Sequence, residues 1–198
     1  MTATLALVFG LAVLVVRRRS LAIALVGAQS LAIGVAAFGH DGELVVAGIV
    51  LAVKAVALPA LLLAVMRRTR EPRLVAAAAG PLVRLAGAGA AAGLAVAFTP
   101  DLGTGDLHAE RAAVALVVVG IAIVVARRPA LFQLLGLIVA ENGLSLLAVS
   151  VPGGLSYVIE LGALLDLALV VVVASFFTRR IHMELGTGDT DLLRTLRD

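Results

Sequence analysis

Apolar residues come in long runs along this chain, and short polar stretches punctuate them. Seven runs stand out, over residues 1–16, 20–38, 44–66, 74–98, 112–126, 130–150 and 155–177. A bilayer core about 30 Å thick is crossed by roughly 20 apolar residues in a helix, with a range of about 17–25. Each run is predicted to form such a helix. The first and fifth are short, and flanking arginines complete them by snorkelling. In lipid the backbone must satisfy its own N–H and C=O groups, which a helix does within one segment. A β-barrel would show alternating polar residues, and the runs show no such alternation. The pattern therefore predicts an all-α, polytopic membrane bundle, with seven transmembrane helices in 1–177 and a tail at 178–198. Residues 1–16 have no basic stretch ahead of the apolar run, so they are read as a retained helix.

Composition agrees with this reading. The chain has 198 residues, 62% hydrophobic and 15% charged, and a mean hydropathy of +1.12. A soluble domain has roughly 45–50% apolar and about 25% charged residues. An ordinary soluble enzyme and a disordered chain are both excluded. The absence of cysteine excludes thiolate-held iron–sulfur clusters, Cys-based zinc sites, disulfides and a Cys nucleophile.

A pI near 10.5 would suggest nucleic acid, but the arginines are placed as topology signals. Of the 16 basic residues, 13 lie in the stretches 17–19, 67–73, 127–128 and 178–198. The intervening loops at 39–43, 99–111 and 151–154 hold only Arg111 and five acids. By the positive-inside rule the first set is cytoplasmic. The N-terminus is then outside, the C-terminus is cytoplasmic, and nucleic acid is not an expected partner. The loop 99–111, rich in Gly and Asp, is read as a solvated connection. In the tail, residues 191–197 could form a short amphipathic turn on a partner subunit or on lipid headgroups.

Five ionisable residues remain inside the apolar runs: Lys54, Arg84, Glu141, Glu160 and Asp166. A lone charge at mid-bilayer costs at least about 2.5–3.5 kcal/mol, and such residues most often mark ion or proton paths. At about 1.5 Å of rise per residue, Lys54, Arg84, Glu141 and Asp166 fall roughly 16–18 Å from one end of their segments, near the midplane. Glu160 lies nearer the outside, by about 9 Å. Burial raises a carboxylic acid's pKa and lowers a lysine's, and an opposite charge does the reverse. A Lys54–carboxylate pair would thus exchange a proton when a neighbour moves. Arg84 stays protonated and is cast as the fixed charge partner of a carboxylate. Pro59 is expected to kink its helix and to free the carbonyl of Ala55, next to Lys54. Gly136, Gly143 and Gly162 are expected to bring backbones close. Gly87, Gly89 and Gly93 are read as a small-residue packing face. His40, His108 and His182 fall in loops or the tail without a second ligand at metal spacing, so no metal is expected. No cofactor site is expected either.

The last three runs carry further text: Glu141-Asn142-Gly143, then Pro152 and Gly153, then Glu160-Leu161-Gly162-Ala163-Leu164-Leu165-Asp166. This resembles the hydrogenase-4 component E family, a membrane subunit of formate-hydrogenlyase-type and related energy-converting hydrogenases. The tail residues 189–196, and Lys54 followed by Pro59, suit the same family. More distantly, 112–177 is similar to the three-helix K-type subunit of respiratory complex I and to the C-type subunit of multisubunit cation/proton antiporters. In that comparison Asp166 takes the place of the second of two mid-membrane glutamates. Ile138 stands where the first would be, and Glu141 follows three residues later on the same helix face. The four preceding runs have no counterpart in the three-helix relatives.

The resemblance implies a non-catalytic subunit of a hydrogenase or complex I-like redox complex in a bacterial or archaeal plasma membrane. Its partners would be antiporter-like membrane subunits, and its proton path would use Glu141, Glu160, Asp166 and Lys54. Two other readings stay open. In one the chain is a structural scaffold whose buried pairs only fix helix register. In the other it is a stand-alone transporter, for which an internal repeat is common and none is evident here.

Overall fold

The structure, a computed structural model, describes residues 1–37, 53–69, 80–101, 103–127 and 129–150, and the single positions 168, 171, 172 and 183. Every regular element among them is a helix, with no β-strand. In chain order these are α1 (Thr2–Val15), α2 (Arg19–Ala37), a π-helical turn (Val53–Ala57) leading into α3 (Leu58–Thr69), α4 (Pro81–Phe98), α5 (Leu107–Ala126) and α6 (Ala130–Ser150). Three of them, α4, α5 and α6, are long and apolar enough to cross a membrane. At 14 residues α1 is about 21 Å long, short of the hydrocarbon thickness. The expected seventh run, with Glu160, Gly162 and Asp166, lies outside the described residues apart from helical positions at 168, 171 and 172. So do His40, His182 and almost all of the tail.

Local chemistry explains where the helices start. Helix α4 opens on Pro81 with Gly80 as its N-cap. Proline suits this position because its missing N–H has no helical partner there anyway. Helix α5 opens five residues earlier than the apolar run suggests. Asp106 caps it, its Oδ1 accepting from the backbone N–H groups of His108 and Ala109, both at 3.0 Å. The loop before it is ordered by its own hydrogen bonds. Gly103 and Gly105 take left-handed φ values of 76° and 81°, which only glycine adopts without strain. The Gly103 N–H donates to Asp101 Oδ1 at 2.8 Å. Glu110 is fully buried and accepts from the Thr104 N–H and hydroxyl at 2.8 and 2.7 Å. The second half of the loop expected to be solvated is therefore helix start and buried carboxylate.

Helices α5 and α6 form the most closely packed pair. A Cβ placed on Gly120 would lie 2.5 Å from Ala140 N and 2.6 Å from Gly136 O. On Gly136 it would lie 2.7 Å from Gly120 O, and on Gly143 2.8 Å from Ala113 O. The expected close approach at Gly136 and Gly143 is present, and Gly120 is its other half. Gly87, Gly89 and Gly93 differ: among the described residues a Cβ on any of them meets nothing within 4 Å. They sit on a helix that exposes Leu82, Val83, Leu94 and Phe98. Helix α1 packs against α2, α4 and α5, and α2 packs against α6, the π-turn and α3. The core between them is aliphatic, with Leu14, Ile23, Leu116, Ile123, Phe132 and Leu135 fully buried.

The two ends of this bundle differ in charge. At one end Thr4 Oγ1 meets His108 Nε2 at 3.2 Å, close to Asp101, Asp106 and Glu110 in the chain. At the other end the last carbonyls of α1 meet Arg84 and Arg127.

Candidate functional site

The π-turn explains how Lys54 is presented. Pro59 has no N–H to give the carbonyl of Ala55, so regular α-helical bonding fails at that point. The chain widens over Val53–Ala57 instead. Such π segments recur at functional sites because they re-aim one side chain. Gly27 of α2 makes room for the distortion. A Cβ there would lie 3.3 Å from Pro59 Cγ and 3.5 Å from the Ala55 oxygen. The sequence predicts a kink at Pro59; the structure has a π-helical turn over Val53–Ala57, packed on Gly27.

From this turn Lys54, only 5% exposed, reaches α6. Its Nζ lies 2.5 Å from Glu141 Oε1. It also donates to Ser145 Oγ at 2.5 Å, and Ser145 in turn donates to Glu141 Oε1 at 3.1 Å. Glu141 is the twelfth of the 21 residues of α6, so the pair sits at mid-helix, as its sequence position implies. Among the described residues the second carboxylate oxygen, Oε2, is buried without a hydrogen-bond partner. The group therefore has one oxygen held by the ammonium and the hydroxyl, and one open to a further donor or to a proton. A protonated Lys54 satisfies two acceptors here.

A second network begins on the next residue. Asn142, 1% exposed, donates from Nδ2 to Gln29 Oε1 and Ser30 Oγ of α2, both at 3.0 Å. Ser30 returns a bond to Asn142 Oδ1 at 3.2 Å. Gln29 then donates from Nε2 to the Ala6 carbonyl of α1 at 2.7 Å. Gly10 leaves the space for it, since a Cβ there would lie 3.3 Å from Gln29 Nε2. The polar layer thus has two clusters, adjacent along α6: Lys54, Glu141 and Ser145 tie α6 to the π-turn, and Asn142, Ser30 and Gln29 tie it to α2 and α1. A scan for charges finds its first two members. The others had a weaker signal: adjacent Gln29 and Ser30 in an otherwise apolar helix, and Ser145 one turn beyond Glu141.

Arg84 stands elsewhere. The sequence places it at mid-segment by starting that segment at residue 74, whereas the described helix starts at Pro81 and Arg84 is in its first turn. Its Nη1 donates to the Leu14 carbonyl at 2.6 Å. Among the described residues no carboxylate lies at ion-pair distance from it, so it is an end residue bonded to a backbone carbonyl. The layer holds Lys54 and Glu141 together and leaves Arg84 apart. Glu160 and Asp166 lie outside the described residues. His108 is helical and pairs with Thr4, and the described residues contain no cluster of His, Cys, Asp and Glu fit for a metal.

No protein-family model matches the chain, and no solved structure matches it. Over 92 residues it is 34% identical to the uncharacterized protein Rv0085 of Mycobacterium tuberculosis. That alignment takes in 46% of this chain and 42% of the relative, so the chain spans under half of the length of the curated relative it matches.

Proposed function

We propose that this chain is a non-catalytic integral membrane subunit of a hydrogenase- or complex I-like redox assembly. Its buried charges contribute to a proton or cation path coupled to electron transfer in partner subunits. In this reading it crosses a bacterial or archaeal plasma membrane seven times, with the N-terminus outside and the C-terminus cytoplasmic. Lys54 and Glu141 form the part of the path within the described residues, and Glu160 and Asp166 extend it. The chain holds no cofactor of its own, and antiporter-like membrane subunits flank it. The likeness of residues 127–198 to the hydrogenase-4 component E text supplies the redox partner.

The observation that carries the reading is the 2.5 Å contact of Lys54 with Glu141 at mid-helix, with one carboxylate oxygen left open. An ion pair kept in an apolar interior costs more than aliphatic packing would, which favours a functional reason for keeping it. The test is to purify the tagged full chain with its native partners and reconstitute that assembly into proteoliposomes. Glu141→Gln should stop ion movement while electron transfer between the soluble subunits continues. Unchanged ion movement would overturn the relay.

The scaffold reading has its own observation. The Asn142–Ser30–Gln29 network is satisfied without a titratable group and ties α6 to α2 and α1. If scaffolding is the whole function, Glu141→Gln leaves ion movement intact, whereas Asn142→Leu prevents assembly on a native gel.

A further inference from the structure

The arginine-rich end of the bundle carries more buried positive charge than a structural cap needs. Helix α1 ends at Val15, and its last carbonyls point away without helical donors. Arg84 Nη1 and Arg127 Nη2 both donate to the Leu14 oxygen, at 2.6 and 3.1 Å. Arg127 Nη2 also bonds the Val16 oxygen. One guanidinium would satisfy this end; here two share a single carbonyl. They are 5% and 1% exposed. Their remaining nitrogens, Nε and Nη2 of Arg84 and Nε and Nη1 of Arg127, are buried without a hydrogen-bond partner among the described residues. Phe132 covers one face of Arg127, its ring centre 4.3 Å from the guanidinium carbon. Burial, and then the charges of Arg84 and Arg17, push the Arg127 guanidinium down to about 10, which still leaves it protonated at neutral pH.

Two cations a few ångströms apart in a poorly polarisable setting repel each other strongly. A carbonyl oxygen accepts their hydrogen bonds and cancels none of their charge. The guanidinium fork matches phosphate oxygens, two N–H groups at a time. The level also fits: Leu14 and Val16 end α1, Arg84 opens α4 and Arg127 follows α5, so the cluster lies where helices meet headgroups. Basic clusters between membrane helices near the headgroup level take up acidic phospholipid headgroups.

We propose that Arg84 and Arg127, with the exposed Arg17 beside them, form a binding site for a phosphate-bearing anion. The phosphate belongs to an acidic phospholipid headgroup or is free in solution, and the same donors serve either. The site is independent of the Lys54–Glu141 pair and of any redox assembly.

The test uses the full chain in dodecyl maltoside, washed free of lipid, with thermal unfolding read against added dioleoyl-phosphatidylglycerol, dioleoyl-phosphatidylcholine or inorganic phosphate. Phosphatidylglycerol should raise the midpoint and phosphatidylcholine should not. A rise with inorganic phosphate alone assigns the site to a free anion. Arg84→Gln and Arg127→Gln should each weaken binding about tenfold or more, since a hydrogen bond to a charged group contributes about 1.5–3 kcal/mol. Native mass spectrometry of the unwashed wild-type chain provides a readout that needs no variant: retained acidic lipid is expected. No response of the wild type to phosphatidylglycerol or phosphate overturns the proposal. So does a full response in both variants, which would place the binding elsewhere.

Discussion

Lys54 and Glu141 are each expensive inside an apolar bundle, and each makes the other tolerable. Removing one leaves a buried charge with no partner, which costs about 3–5 kcal/mol. Replacing both with apolar residues of similar volume is often neutral or stabilising. Stability and function should therefore separate at this pair. Glu141→Ala should lower the unfolding midpoint clearly, measured by thermal scanning in detergent. The double variant Lys54→Met with Glu141→Leu should return it to the wild-type value or above while ion coupling stays lost. A double variant as unstable as the single one would mean that the pair holds the fold together. At this scale the sequence displayed the charged members, because an acid or a lysine stands out in an apolar run. It left Gln29, Ser30 and Ser145 unmarked, and showed Asn142 only within the Glu141-Asn142-Gly143 text. Neutral polar residues are cheap enough in a helix to pass without notice, and only their convergence between α2 and α6 gives them meaning.

At the scale of elements, two local features carry the geometry. The π-turn at Val53–Ala57 inserts extra chain into a helix that would otherwise place Lys54 on another face. One residue of α-helix turns by about 100°. Pro59→Ala restores the N–H that the Ala55 carbonyl lacks, so the turn should relax to α-helix and swing Lys54 away from Glu141. The measurement is a double-mutant cycle between positions 54 and 141. The coupling energy should be large in the wild-type background and near zero in the Pro59→Ala background. An unchanged coupling would mean that another contact sets the turn.

The second feature is the glycine contact between α5 and α6. Gly120→Ala places a methyl 2.5 Å from Ala140 N, so the two helices must separate, at a cost of about 1–3 kcal/mol. Gly89→Ala in α4 meets open space and gains helix propensity of about 0.8–1 kcal/mol. The two substitutions should thus move the unfolding midpoint in opposite directions. The sequence marked Gly87, Gly89 and Gly93 of α4 and Gly136 and Gly143 of α6, and left Gly120 of α5 unmarked. What distinguishes them is whether a second backbone lies opposite, which no single helix records. Helix ends were legible unevenly for a related reason. The start of α6 at Ala130 matches because Pro129 and the arginines ahead of it border the apolar run. The start of α4 at Pro81 and that of α5 at Leu107 follow capping residues, Gly80 and Asp106, that a hydropathy run passes over.

Across the whole molecule, charge sorts to opposite ends. Arg84 and Arg127 gather on the carboxyl end of α1, while Asp101, Asp106 and Glu110 lie towards the other end, where Thr4 meets His108. Helix α4 links the two and is about 27 Å long, close to the thickness of a bilayer core. Such a molecule placed in a membrane puts its arginines on one side and its acids on the other. In the proposed orientation, which follows the positive-inside rule, the arginine end is cytoplasmic. The chain has no cysteine, so a single introduced thiol reports its side without interference. Arg18→Cys and Asp101→Cys both fall on exposed positions. In intact cells a membrane-impermeant maleimide should label Asp101→Cys and spare Arg18→Cys, and inverted vesicles should reverse the pattern. Labelling of both from one side would refute the crossing of α4. Reversed sides would keep the bundle and invert its orientation, so that any proton path through Lys54 and Glu141 would open towards the opposite compartment.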